Sequence, residues 1–290
     1  MKDLVYELKA LCQRNRDGSY STQAHRWAIL RQMGEQLLAA GFNHLHVYDL
    51  KGRHLNALLK QWQADGLSAS TQKNRMAVLR WWAVKIGKGD MFQRTNTVYG
   101  IAPRQTIPAV SKARTLPGGK LSQVPSSYVR MSLELQRTFG LRREEAIKIQ
   151  PHQADHGTAL VLQGSWCKGG HGRSVPITTP AQREVLDCAK TLVRFKEASL
   201  IPKGKTYKAQ VALYEKQCRR ANLDYMHGLR HGYAQARFLD LAGFPAPAAG
   251  GPTQALLTPE QQVLDADARA AISLEMKHYR EQITATYLGR

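Results

Sequence analysis

Four separated pieces of this 290-residue chain carry side chains suited to reaction at an anionic centre. They are Arg142 with Glu145 in GLRREE (140–145), Lys168 in KGGHGRSVP (168–176), His227 with Arg230 in HGLRH (227–231), and His278 followed by Tyr287. Guanidinium groups are planar, stay charged and grip paired oxygens by two hydrogen bonds at once. A tyrosine hydroxyl is a nucleophile only when a base takes its proton or a cationic site stabilises the phenolate, because a phenol titrates near ~10. Histidine supplies such a base, and a lysine on a turn supplies a proton donor. Each piece also has an ordinary reading. Gly-Leu-Arg often opens a helix, a basic hairpin tip is usually solvated, His-x-x-Arg is often a surface pair, and a late tyrosine usually packs.

These pieces need elements to bring them together. In the first 90 residues apolar positions recur at helical spacing: Leu4, Leu8 and Leu11, then Trp27, Leu30 and Met33, then Leu55, Leu58 and Leu59. The clearest helix runs over 68–87, with Ser68 or Ser70 able to cap its start and Gly87 its end, and with Met76, Leu79, Ala83 and Ile86 as its buried stripe. Lys73, Arg75, Arg80 and Lys85 are read as a cationic edge facing phosphates, with Trp81 and Trp82 at its boundary. A solvated basic face is the plainer alternative for that helix. Residues 91–133 hold six basic and no acidic residues and are broken by Pro103, Pro108, Pro117 and Pro125. They are read as a basic linker plus the entry to a second domain, with Arg104, Lys112 and Arg114 as candidate backbone contacts.

The second half opens with a helix near 128–139 that continues through Arg142 to Ile149. A hairpin follows, with strands at 158–163 and 174–177 and a glycine-rich turn at 168–172, and Arg173 joins the DNA-contact candidates. Helices are expected at 180–199, 207–221, 228–242 and 259–277, with a Pro/Gly loop at 243–253.

The composition narrows the partner. Lys and Arg total 42 against 22 Asp and Glu, a net charge of +20, which points to a polyanion, nucleic acid first. Both halves are basic. Cys12, Cys167, Cys188 and Cys218 form no CxxC pair and no zinc-spaced cluster, so no metal site and no disulfide framework is indicated, and they read as reduced thiols. No apolar run approaches a membrane span or a signal peptide, which places the expected protein in the cytoplasm, away from membranes.

Taken in order and spacing, the four pieces resemble the catalytic domain of the tyrosine recombinases, the phage-type integrases. Gly140-Leu-Arg142 with Glu145 resembles the family's first arginine motif, and Lys168-Gly169 with Arg173, Val175 and Pro176 its lysine hairpin. His227-Gly-Leu-Arg230-His231 resembles the His-x-x-Arg box, and Thr286-Tyr287-Leu288, nine residues after His278, the tyrosine motif. The 70–80 segment is similar to the last helix of the family's N-terminal core-binding, SAM-like domain.

The resemblance implies a mainly α fold: a two-domain DNA clamp with an all-helical N-terminal domain (1–93), a basic linker (94–124) and a mostly helical domain (125–290) carrying a small β-hairpin. It implies a site-specific recombinase that cleaves and rejoins DNA through a 3′-phosphotyrosyl link on Tyr287, with no cofactor, metal or ATP. Arg142 and Arg230 then clamp the phosphate, His227 serves as base, Lys168 protonates the leaving 5′ oxygen, His278 hydrogen-bonds the phosphate and Glu145 orients the cations. Implied partners are duplex recombination sites, a dimer per site and a tetramer in the synapse, and an accessory DNA-bending or directionality factor. A phage, integrative element or genomic island would carry the gene.

The sequence departs from the pattern at three places. Met276-Lys277 stands where the family usually has Leu-Gly before the histidine, the step from Arg230 to His278 is long because of the Pro/Gly loop, and only Leu288, Gly289 and Arg290 follow Tyr287. Tyr279 is a second tyrosine near the site. Rival readings are a non-catalytic architectural DNA binder, which has no use for the full residue set, and a type IB topoisomerase or telomere resolvase, which share it. A metal-dependent nuclease needs clustered carboxylates that are missing beside these motifs.

Overall fold

The computed structural model describes residues 3–290 except Ala109 and Tyr279; the side chain of Asp3 is likewise left aside. Tyr279, the alternative nucleophile, therefore lies outside the described residues. Two compact units divide the chain, Met1–Gln105 and Thr106–Arg290. Among the described residues they hold thirteen α-helices and one two-stranded sheet, the mainly α architecture expected. None of these helices is long and apolar enough to cross a membrane.

The first unit is built from α1 (Asp3–Arg14), α2 (Tyr20–Ala39), α3 (Gly52–Ala64) and α4 (Ala69–Lys85) around one apolar core. Ser19 and Ser68 cap α2 and α4, each hydroxyl accepting from the backbone N–H three residues on, at 3.2 and 3.3 Å. Met76, Leu79 and Ala83 are buried as their spacing predicts. Trp82 is also fully buried, its indole N–H donating to the Val47 carbonyl at 2.9 Å, so it is core rather than boundary. Phe92 and Ile101 pack into the same core, which carries the unit beyond residue 93.

The second unit begins with α5 (Gly118–Ser122) and α6 (Ser127–Phe139). Val124, with Leu116 and Leu121 beside it, packs in a core with Val129 and Leu133 of α6. Within 94–124, Ile101 thus packs in the first core and Leu116, Leu121 and Val124 in a core of the second unit, while Val98 and Val110 stay exposed.

The expected continuous helix through 139–149 is broken. Gly140 takes φ 59°, and a Cβ there would lie 2.4 Å from the Tyr233 ring, so only glycine fits both the left-handed turn and the close approach. The chain restarts as α7 (Arg143–Lys148), followed by α8 (Pro151–Ala154). Strands β1 (Ala159–Leu162) and β2 (Arg173–Pro176) pair antiparallel, Leu162 opposite Arg173 and Leu160 opposite Val175. After the hairpin come α9 (Pro180–Val193), α10 (Tyr207–Arg220), α11 (Gly228–Ala242), α12 (Pro259–Glu275) and α13 (Glu281–Leu288). α9 ends earlier than expected because Arg194 turns to φ 64° and Leu200 folds back onto the core. The Pro/Gly segment holds one short 3-10 turn, Pro247–Ala249, and a second, Gln254–Leu256, follows it.

Candidate active site

Glu145 is the anchor of the site. Its carboxylate is fully buried and accepts from the Arg142 guanidinium at 2.8 Å, the Arg142 backbone N–H at 2.7 Å and the Arg173 guanidinium at 2.7 Å. Burial alone raises a carboxyl pKa, but here the charges of Arg173, Arg230 and Arg142 and the Arg142 amide outweigh it and lower Glu145 to about 2. Three guanidinium groups around one carboxylate leave a surplus of two positive charges. Such a cluster suits a further anion.

Two helix C-termini hold the arginines. Carbonyls in the last turn of a helix lack intrahelical partners and carry the negative end of its dipole. Gly140, closing α6, accepts from Arg230, and the last turn of α12 accepts from Arg173 through Glu275 and from Arg230 through Met276, the last at 2.7 Å. Arg230 is fully buried, and its Nε has no hydrogen-bond partner among the described residues. Burial, then Arg173 and Arg142, pushes its pKa down to about 10, so it remains cationic at neutral pH. Arg142 is the more open of the pair, its side chain 29% exposed.

Tyr287, in the last turn of α13, is buried against α11. Its hydroxyl lies 3.3 Å from His227 Nε2, its ring stacks on His278 at 5.0 Å and packs at a tilt against His231 at 4.2 Å, and Arg230 lies over it at 5.7 Å. His227, at the N-cap of α11, and Arg230 and His231 in its first turn are spaced so that all three face one side. Gly228 lets the entering segment cross there: its carbonyl accepts from the Arg114 N–H at 3.0 Å, and a Cβ would meet Arg114 Cγ at 2.3 Å.

The imidazoles are held neutral. Desolvation, then the Arg230 and Arg142 charges, lowers the His227 pKa; the same causes with Arg173 lower His278 to about 3. Desolvation and then His227 lower His231 to about 4. A neutral His227 can accept a proton from the phenol at pH 7. His278 Nδ1 bonds Thr284 Oγ1 at 2.9 Å, and its Nε2 lies 3.4 Å from Arg230, fixing the ring between α12 and α13. Lys277 supplies the turn before it at φ 52°, a conformation that costs a non-glycine residue ~1–2 kcal/mol. The glycine of the family pattern is replaced, yet the backbone makes a left-handed turn.

Arg142, Glu145, His227, Arg230, His278 and Tyr287 are therefore brought together. Lys168 is exposed at the hairpin tip, and the hairpin joins the site through Arg173. Burial corrects two proposed DNA contacts. Arg173 lies on the inward face of β2 with Val175, its side chain 1% exposed, and works inside the cluster. Arg75 is buried over Trp62 and donates to Gln32 at 2.9 Å. Both follow from spacing: Arg173 shares the two-residue parity of Val175, and Arg75 lies a helical turn from Leu79. Lys73 is half-buried; Arg80 bonds the Gln93 carbonyl at 2.7 Å, Arg104 bonds Asn74 at 2.8 Å, and Lys85 lies 3.9 Å from Asp17. Lys112 and Arg114 are exposed. No group of three or more His, Cys, Asp or Glu among the described residues is placed to hold a metal ion.

The comparisons with known proteins agree on one family. The family model described as phage integrase, N-terminal, matches residues 1–91, and that described as integrase matches 106–236. No curated protein matches the sequence significantly. Among solved structures the fold is similar to that of a lambda integrase dimer bound to a COC′ core site, with 16% identity over 98% of this chain and 78% of that one and a TM-score of 0.59. It is also similar to the XerH site-specific recombinase bound to a palindromic difH substrate in a post-cleavage complex, with 16% identity over 99% and 81% of the chains and a TM-score of 0.60. The Tn1549 transposon integrase in complex with circular intermediate DNA gives 15% identity over 100% and 96%, with a TM-score of 0.56. With both units matched, the chain belongs to the phage-type integrases, the tyrosine recombinase family.

Proposed function

We propose that this protein is a site-specific DNA recombinase that cleaves and rejoins strands through a 3′-phosphotyrosyl intermediate on Tyr287, integrating or excising a mobile element. The observation that carries the reading is the Tyr287 hydroxyl 3.3 Å from His227 Nε2, beside a cluster with two surplus positive charges.

In this reading the Tyr287 oxygen attacks the scissile phosphorus as its proton passes to His227. Charge gathering on the nonbridging oxygens is met by Arg142 and by Arg230, with Glu145 and Arg173 fixing the guanidinium planes. The bond from phosphorus to the 5′ oxygen breaks, and Lys168 delivers a proton to that oxygen once DNA draws the hairpin inward. His278 supports the phosphate by a hydrogen bond. The phosphotyrosyl ester keeps the energy of the broken diester, so a second 5′ hydroxyl reverses the step and neither metal nor ATP is consumed. Lambda integrase structures, one described as a dimer bound to a COC′ core site and one as a tetramer bound to a Holliday junction, support two protomers per site and four in the synapse.

The test is recovery of detergent-resistant protein–DNA adducts from cells carrying the gene in its native surroundings, with the trapped DNA sequenced. Adducts at discrete sites, absent for Tyr287→Phe, are expected. Folded protein that binds DNA but gives no adduct would favour an architectural role. Adducts that end in relaxation of supercoils rather than strand exchange would favour a topoisomerase.

A further inference from the structure

We infer that Gln235 is a positioning residue for the nucleophile, tying the backbone of Tyr287 to the segment that enters the second unit. The inference rests on the proposed role of Tyr287. Gln235 lies two helical turns beyond His227 and one beyond His231, on the same side of α11. His227 and His231 meet the phenol ring; Gln235 meets the main chain instead. Its Nε2 donates to the Tyr287 carbonyl at 3.0 Å and lies 3.0 Å from Ser111 Oγ, which in turn is 3.3 Å from Gln235 Oε1. Ser111 also accepts from the Ala113 N–H at 3.2 Å, so its hydroxyl is fixed by its own turn.

The Tyr287 carbonyl belongs to the final turn of an eight-residue helix, where intrahelical partners run out. A helix this short holds little order of its own, and its last turn is ordered by outside contacts. Gln235 provides one on the residue whose hydroxyl must stay in line with the phosphorus. Ser111 lies shortly after the boundary between the two units, so Gln235 links that segment directly to the Tyr287 backbone.

Gln235→Glu tests this, since it keeps the size of the side chain and its acceptors but removes the N–H donor and faces a carboxylate to the Tyr287 carbonyl. Ser111→Ala, which leaves the bond from Gln235 to the Tyr287 carbonyl in place but removes the far partner and its bond to the Ala113 N–H, is its companion. Single-turnover adduct formation on a duplex of the trapped sequence separates positioning from folding. Positioning lowers the rate constant about tenfold or more while the fraction reacting and the DNA affinity hold. Partial unfolding lowers the fraction reacting and leaves the rate constant. Ser111→Ala is expected between wild type and Gln235→Glu. Hydrogen exchange of the 284–288 amides in the free protein is measured in parallel and is expected to speed up in Gln235→Glu. A wild-type rate constant in Gln235→Glu overturns the inference. If wild-type protein forms no adduct, the proposed function fails instead, and the exchange measurement alone decides: unchanged exchange overturns the tether, faster exchange upholds it.

Discussion

Replacing Glu145 by Gln keeps the shape of the anchor and removes its charge. Gln offers one oxygen where Glu145 accepts three bonds through two, and its amide nitrogen faces a guanidinium donor. Arg173, 1% exposed, is left a buried cation without its counter-charge. The depression of Glu145 from 4.5 to about 2 corresponds to about 3 kcal/mol of native-state stabilisation, and breaking a buried ion pair typically costs ~3–5 kcal/mol. At pH 7 the variant should lose about 3 kcal/mol, roughly 10 °C in melting temperature for a unit of this size. The pH dependence carries a sign. A depressed carboxyl pKa gives stability that is fully present above the unfolded value of 4.5 and is lost as pH falls toward about 2, so the gap between wild type and Glu145→Gln should be constant from pH 7 to 6.5 and close below 4.5. His278 and His231, depressed to about 3 and 4, destabilise both proteins alike as pH falls below 6.5 and cancel in the difference, whereas His227, whose pKa the Glu145 charge holds up, is depressed further in the variant and widens the gap between 6.5 and 4.5. Urea unfolding followed by circular dichroism between pH 2 and 7 measures this. A loss under about 1 kcal/mol at pH 7, or parallel curves in acid, would refute the assignment of Glu145 as the cluster's counter-charge.

Gly140→Ala forces a Cβ to 2.4 Å from Tyr233 and a left-handed alanine, so it should cost at least ~1–2 kcal/mol by thermal melting and slow adduct formation by displacing the Gly140 carbonyl from Arg230. With the His227 pKa lowered, the cleavage rate should stay flat through neutral pH and fall only below the ordinary 6.5, while His227→Ala should lose ~10²–10⁴-fold; an inflection above pH 7 would count against His227 as base. Arg75→Met should change melting temperature but not the salt dependence of DNA binding, whereas Lys112→Ala, at an exposed cation, should reduce the slope of log affinity against log salt by about 1.

Local pattern made much of this molecule legible. α11 follows its expectation because Gly243, in the left-handed region at φ 79°, ends it where the apolar spacing stops. The hairpin follows from two apolar runs joined by a glycine-rich turn. What escaped were charges used inside the protein. Arg75 and Arg173 lay among basic neighbours in a chain of net charge +20, and composition outweighed spacing that put both on buried faces. His231 is visible within HGLRH, but its use, a ring packed against Tyr287, depends on where α13 lies. Gln235 and Thr284 carry no motif at all, because their roles depend on α11 and α13 meeting, which only tertiary packing decides. The same holds for Ile101 and Val124 in 94–124, a stretch read as linker from its prolines and basic charge, which pack into two different cores.

The most direct measurement of the central claim is mass spectrometry of the peptide that remains linked to DNA after digestion of a trapped adduct. A nucleotide 3′-phosphate on Tyr287, with no linked peptide from Tyr287→Phe, is the expected result. A nucleotide on Tyr279, or a link retained by Tyr287→Phe, would contradict the assignment of the nucleophile.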